Sequence, residues 1–272
     1  MPANGPSPAQ QPIGIFDSGV GGLSILREIR ARLPNEALIY LADQAHVPYG
    51  SRPQQEIRQF SEAITRHLLA LGAKMIVVAC NTASAAALTP LRQTFPDVPF
   101  VGMEPAVKPA AHQTKSGHVG VLATAGTFAS ERYADLMARY ATGVTVIEDP
   151  CVGLVDLIEG GQIAGPTTEA RLRSIVSPML ARGVDTLVLG CTHYPFIIPT
   201  LAHLVGPTVR IIDPAPAIAR QVAWVLGQRG WLRSGNTPAP PRYLTTGDAA
   251  AFSRQIEHLL EEIAETETAV LS

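Results

Sequence analysis

Short apolar runs alternate along this chain with stretches that are hydrophobic on one side only. The runs fall at residues 14–17, 38–42, 75–80, 98–102, 119–123, 144–148, 186–191 and 209–213 and read as strands. Between the second and third, Ile57, Phe60, Ile64, Leu68 and Leu71 keep the i, i+3/i+4 spacing of a helix with one apolar face. Gly72 stands where that helix is expected to end. Strands alternating with amphipathic helices predict a mostly parallel sheet covered by helices on both faces, an α/β fold.

Aligning the chain with itself reveals a weak internal repeat. The runs Met75-Ile76-Val77-Val78-Ala79-Cys80-Asn81-Thr82 and Thr186-Leu187-Val188-Leu189-Gly190-Cys191-Thr192-His193 each deliver a cysteine to a strand end with threonine close behind, offset by 191 − 80 = 111 residues. Gly14-Ile15-Phe16-Asp17-Ser18 resembles Gly120-Val121-Leu122-Ala123-Thr124, and Met103-Glu104-Pro105-Ala106 resembles Ile212-Asp213-Pro214-Ala215. The expectation is two similar parallel-sheet α/β domains related by a pseudo-twofold, with a ligand cleft between them. Open α/β sheets bind ligands beyond the C-terminal strand ends, where both cysteines fall. The expected division places 13–104 with 214–272 in the first domain and 105–213 in the second, leaving 1–12 as a disordered leader rich in Pro, Ala and Gln.

At 272 residues, with 46% hydrophobic and 16% charged, the chain can bury a substantial core. A net charge of −2, from 21 basic and 23 acidic residues without a dense Lys/Arg run, argues against nucleic acid and anionic membrane as partners. No apolar stretch approaches the roughly 20 residues that span a bilayer, and the first dozen residues lack signal-peptide character. A cytoplasmic location is therefore expected. Cys80, Cys151 and Cys191 show no C-x-x-C spacing, which argues against a disulfide framework and a closed zinc site.

Cys80 and Cys191 are the candidate acid/base groups, one for each side of a reacting centre. A free thiol with a pKa of about 8.5 is mostly protonated at neutral pH, so each needs help. His193, two residues past Cys191, is a helper on that side, and Asp17, an isolated carboxylate at the end of the first strand, is its counterpart on the other. Cys151 has no comparable setting and reads as structural. The Asp17-Ser18-Gly19-Val20-Gly21-Gly22 segment is either a tight strand-to-helix turn or an anion-binding loop, and it lacks the Gly-Lys-Ser/Thr of a phosphate loop. The loop 43–51 reads either as a surface turn or as a substrate rim. None of the three lysines, Lys74, Lys108 and Lys115, lies in a motif loop, which disfavours a pyridoxal Schiff base, and no Gly-x-Gly-x-x-Gly follows the first strand. Cofactor-free chemistry is expected.

Together, residues 15–23, Ala42-Asp43 through Pro48-Tyr49-Gly50, Cys80-Asn81-Thr82-Ala83 and Gly190-Cys191-Thr192-His193-Tyr194-Pro195 resemble the glutamate racemases of the cofactor-independent aspartate/glutamate racemase superfamily. The resemblance implies that Cys80 acts on D-glutamate and Cys191 on L-glutamate, supplying D-glutamate for peptidoglycan. It implies that Asp17 supports Cys80, that His193 and Glu159 support Cys191, and that Asp43 is another site carboxylate. Substrate contacts are implied for Asp17, Ser18, Asp43, Tyr49, Gly50, Asn81, Thr82, Thr192 and His193. The family commonly forms homodimers. The rival readings are a racemase for aspartate or a hydantoin using the same thiols, a hydrolase with a Cys191/His193 dyad, which leaves Cys80 without a role, and a non-catalytic amino-acid-binding module.

Overall fold

The apolar runs become the inner strands of two parallel sheets in the computed structural model, which describes residues 7–235 and 240–271. The strands are β1 (Ile13–Asp17), β2 (Leu38–Ala42), β3 (Met75–Val78), β4 (Phe100–Gly102), β5 (His118–Ala123), β6 (Thr145–Asp149), β7 (Thr186–Gly190), β8 (Arg210–Ile212), β9 (Arg242–Thr245) and β10 (Thr266–Thr268). One sheet has the order β10-β9-β2-β1-β3-β4 and the other β6-β5-β7-β8, with parallel pairing throughout. The order β2-β1-β3-β4 therefore recurs as β6-β5-β7-β8, so the repeat seen in sequence is a repeat of topology. The chain is built of two parallel-sheet α/β domains.

Every residue of β1, β2, β3 and β7 is buried, as expected of strands covered by helices on both faces. The helix anticipated around Ile57 spans Gln54–Ala70, turning Ile57, Ile64 and Leu68 inward. Gly72 follows in the left-handed region at φ +85, and the Ala73 N–H closes back on the Leu68 carbonyl at 3.1 Å, which ends the helix. The main core runs across both sheets, joining Ile15 and Leu26 to Leu187, Leu201 and Val222.

The structure departs from the sequence expectation at three places. Strands β3 and β7 stop before the cysteines, so Cys80 and Cys191 begin the loops rather than end the strands. Strands β9 and β10, absent from the list of apolar runs, extend the first sheet through the β2–β9 pairing and return the chain's end to the first domain. Of the leader expected to be disordered, residues 1–6 lie outside the described residues. Pro8–Gln10 forms a 3-10 turn whose Ala9 carbonyl lies 3.4 Å from Lys74 Nζ. No helix among the described residues is long and apolar enough to cross a membrane.

Candidate active site

The two cysteines meet because β3 and β7 occupy equivalent positions in the two sheets and point their C-terminal ends at one cleft. Cys80 caps the helix Asn81–Thr94, and its Sγ accepts the Ala83 N–H at 3.4 Å. A helix N-terminus favours negative charge there. Cys191 opens the turn leading into the 3-10 helix Tyr194–Ile197, and its Sγ lies 3.5 Å from His193 Nδ1. Both sulfurs line one cavity, each cysteine only 6% exposed.

The first domain also supplies Ser18, Tyr49, Gly50, Asn81 and Thr82 to the cavity wall, and the second supplies Thr124, Val155, Thr192 and His193. The free space is about 20 Å³, room for a water molecule rather than an amino acid, so the walls must part to admit a substrate. Asn81 is buried, yet neither its Nδ2 nor its Oδ1 has a hydrogen-bond partner among the described residues. Such a group is costly unless a ligand or water completes it. Among the described residues no lysine or arginine lines the cavity, and no group of three or more His, Cys, Asp and Glu is arranged to hold a metal ion.

The carboxylates stand behind this wall rather than in it. Asp17 is fully buried, with Oδ1 accepting the Gly19 N–H at 2.8 Å and the Ser18 hydroxyl at 3.3 Å, and Oδ2 accepting the Thr192 hydroxyl at 2.9 Å. Burial pushes its pKa up to about 6, against the lowering influence of His193 and its hydrogen bonds. Ser18 links it to Cys80, whose Sγ lies 3.9 Å from the serine oxygen. Burial, and after it the charge of Asp17, push the Cys80 thiol well above its ordinary pKa.

On the other side, Glu159 ends the helix Leu154–Glu159, and its Oε1 lies 2.6 Å from His193 Nε2. Burial works to lower the pKa of His193, but hydrogen bonds to Cys191 and Glu159 outweigh it and hold the imidazole well above its usual value. An imidazolium at that position stabilises negative charge on the adjacent sulfur. The two sides are thus unlike: one thiol is backed by a serine and a buried carboxyl, the other by an imidazole and a carboxylate.

Asp43 does not line the cavity. It is fully buried and accepts the Tyr49 hydroxyl, the Thr246 hydroxyl at 2.7 Å and His46 Nδ1 at 2.9 Å, so it holds the rim loop from behind. The glycines after Asp17 have none of the positive φ values of a strained turn. They make room instead: a Cβ at Gly19 would lie 1.9 Å from Glu159 Oε1, and one at Gly21 would lie 2.5 Å from His193 Nδ1. The N–H of Val20 in that loop donates to Glu159 Oε1 at 2.9 Å, which favours the carboxylate, not an exogenous anion, as what the loop receives. Cys151 is buried at φ +49 with its N–H on Asp149 Oδ1, outside the cavity wall.

Thr124 and Val155 line the cavity without being site candidates from sequence, and Pro48 enters it from the 43–51 loop, on the side of the substrate-rim reading. Thr124 was within reach, because the repeat places it opposite Ser18. Its hydroxyl lies 2.8 Å from that of Thr82, a contact between the two domains.

A family model described as Asp/Glu/Hydantoin racemase matches residues 22–222. A glutamate racemase of Ectopseudomonas mendocina is 52% identical over 257 residues, covering 94% of this chain and 97% of its own. Among solved structures, a glutamate racemase isoform from Bacillus anthracis matches with a TM-score of 0.88 at 31% identity, covering 97% of this chain and 98% of its own. The glutamate racemase of Francisella tularensis, solved in complex with D-glutamate, matches with a TM-score of 0.84 at 30% identity over 97% of this chain and 99% of its own. Sequence, fold and this match over most of its length agree: the chain belongs to the Asp/Glu/Hydantoin racemase family.

Proposed function

We propose that this protein interconverts L- and D-glutamate, with Cys191 taking the α-proton of the L enantiomer and Cys80 that of the D enantiomer. The observation that carries this reading is the placement of two buried thiols, one from each domain, on the wall of a single cavity. Inversion at carbon requires a proton to leave one face and another to arrive at the opposite face, which two flanking acid/base groups supply directly. The glutamate racemases among its relatives support the choice of substrate.

In the L to D direction, the Cys191 thiolate takes the proton from Cα. The electron pair left behind delocalises into the α-carboxylate, and the Cys80 thiol delivers its proton to the opposite face. Cys191 ends as thiol and Cys80 as thiolate, so the protein must exchange one proton before the next turnover. His193 with Glu159 on one side, and Ser18 with Asp17 on the other, provide the paths for it. Positioned proton transfer supplies roughly 10² to 10⁴ in rate. Donors on the carboxylate must add most of the rest, at roughly 10² to 10³ for each well-placed one. Asn81, with its unpaired amide, and the hydroxyls of Thr82 and Thr192 are the groups available at the wall.

The domain division at 13–104 with 214–272 and 105–213, a cytoplasmic site of action supplying D-glutamate for peptidoglycan, and assembly as a homodimer complete this reading. Light scattering on the purified protein tests the last. Circular dichroism of separate incubations with L-glutamate and L-aspartate tests the substrate. The glutamate signal decays to zero and the aspartate signal persists; decay with aspartate alone overturns the assignment.

A further inference from the structure

The helix Leu154–Glu159 carries the carboxylate that pairs with His193, yet it has only six residues, too few to hold a position by its own hydrogen bonds. Its C-terminal end is gripped from the first domain. The helix Ala249–Leu260 presents Gln255, whose Nε2 donates to the backbone carbonyl of Glu159 at 2.7 Å. Beside it, His258 Nε2 lies 3.0 Å from the Gly161 carbonyl.

Gln255 is itself fixed. A carbonyl can only accept, so the Gln255 amide nitrogen must face Glu159 and its Oε1 must face away. That Oε1 takes the Gln44 amide at 2.6 Å, and Gln44 Oε1 takes the Thr245 hydroxyl at 2.9 Å. Donors and acceptors alternate consistently from Thr245 to Glu159. Gln44 directly follows Asp43, so the chain connects the rim loop holding Tyr49 to the helix holding Glu159. The Glu159 side chain then returns to the first domain at the Val20 N–H.

We propose that Gln255 is a positioning residue for proton transfer at Cys191: it holds the Glu159 backbone, and through the Glu159 carboxylate it sets where the His193 imidazole stands. The proposal rests on the two-thiol reading above and extends it beyond the cleft, to a side chain that touches neither the cavity nor a sulfur. Displacing a reacting group by about 1 Å costs up to roughly 100-fold in rate. Losing one of several restraints on Glu159 should cost about tenfold, the rate equivalent of one hydrogen bond.

Rates of the unlabelled enantiomers cannot reveal a one-sided effect. An equilibrium constant of one forces kcat/KM to be equal in the two directions for any variant. Primary isotope effects can, because α-deuterated L-glutamate reports the Cys191 step and α-deuterated D-glutamate the Cys80 step. The test uses the full-length protein as Gln255→Leu and Gln255→Glu. The second variant keeps the size of the side chain and the contact with Gln44 but cannot donate to Glu159 when ionised, and it carries the test should the first fail to fold.

The expected result is a kcat about tenfold lower, with the isotope effect on kcat/KM rising for the L enantiomer and falling for the D enantiomer. Arg254→Ala, an exposed neighbour on the same helix, leaves both isotope effects at wild-type values. Isotope effects in the Gln255 variants that stay at wild-type values or move together overturn the proposal, whatever happens to the rate or the melting temperature. A wild-type protein that exchanges no α-proton of glutamate overturns the two-thiol reading itself, a separate result read from the unmodified protein.

Discussion

The Thr192 hydroxyl donates to Asp17 Oδ2 at 2.9 Å, joining the residue after one cysteine to the carboxyl that backs the other. This contact crosses from the second domain to the first at a fully buried acid whose pKa rises from 3.8 to about 6. The folded protein therefore holds this proton more tightly than the unfolded chain. The stabilisation is complete below pH 3.8 and is lost as pH rises through about 6. At pH 8 the ionised form costs about 3 kcal/mol, from a shift of about two pK units. Asp17→Asn removes that ionisation. Urea melts should show the variant more stable than wild type by about 3 kcal/mol at pH 8, with the difference shrinking toward zero below about pH 4, while racemisation falls. A difference independent of pH contradicts the assignment.

Gly19 and Gly21 lie against the second domain's Glu159 and His193. Alanine at either meets Glu159 or His193 at 1.9 Å or 2.5 Å, so the dyad must move. Each substitution should lower kcat/KM by roughly 100-fold. Gly227→Ala, where the nearest atom to the new Cβ is Leu232 Cδ1 at 3.8 Å, should leave it unchanged. Equal activities across the three variants, measured by circular dichroism, would refute a positional role for the loop glycines.

Glu159→Gln keeps an acceptor for the Val20 N–H but removes the charge beside His193. The imidazole pKa, now raised by hydrogen bonds to Cys191 and Glu159 in spite of burial, should drop. The imidazolium is then lost at a lower pH. The alkaline limb of the kcat/KM profile moves to lower pH in the variant, and a limb that stays fixed counts against the dyad.

Cys80→Ala and Cys191→Ala should each abolish interconversion, with exchange of the α-proton surviving in one enantiomer only. Cys151→Ala should keep turnover close to wild type, because that thiol lies outside the cavity wall and contacts the Asp149 backbone. A loss with Cys151→Ala equal to the other two would mean that a different pair of thiols does the chemistry.

Much of this was legible in the sequence, for identifiable reasons. Strands buried on both faces are continuous apolar runs, which is why β1, β2, β3 and β7 stood out. Strand β9 has only Tyr243 and Leu244 between Arg242 and Thr245, and β10 is Thr-Glu-Thr at a sheet edge, so neither forms an apolar run long enough to leave that signature. Asp17, the cysteines and His193 were visible because each is a reactive group at the end of a buried apolar strand or within three residues after it. Long-range pairing was not. The contacts of Glu159 with Val20 and of Asp43 with Thr246 join residues 139 and 203 positions apart, and no local spacing encodes them. The glycines of residues 19–22 signal a turn in the sequence, whereas the use of Gly19 and Gly21 depends on what approaches them from the other domain.

The most direct test of the two-thiol account is proton NMR of each glutamate enantiomer with the wild-type protein in heavy water, read at low conversion. With separate acids on the two faces, the account predicts solvent deuterium at Cα of the newly formed enantiomer and none in the remaining substrate. Deuterium accumulating in the unreacted enantiomer at the same rate, or product that retains the original α-proton, would contradict it.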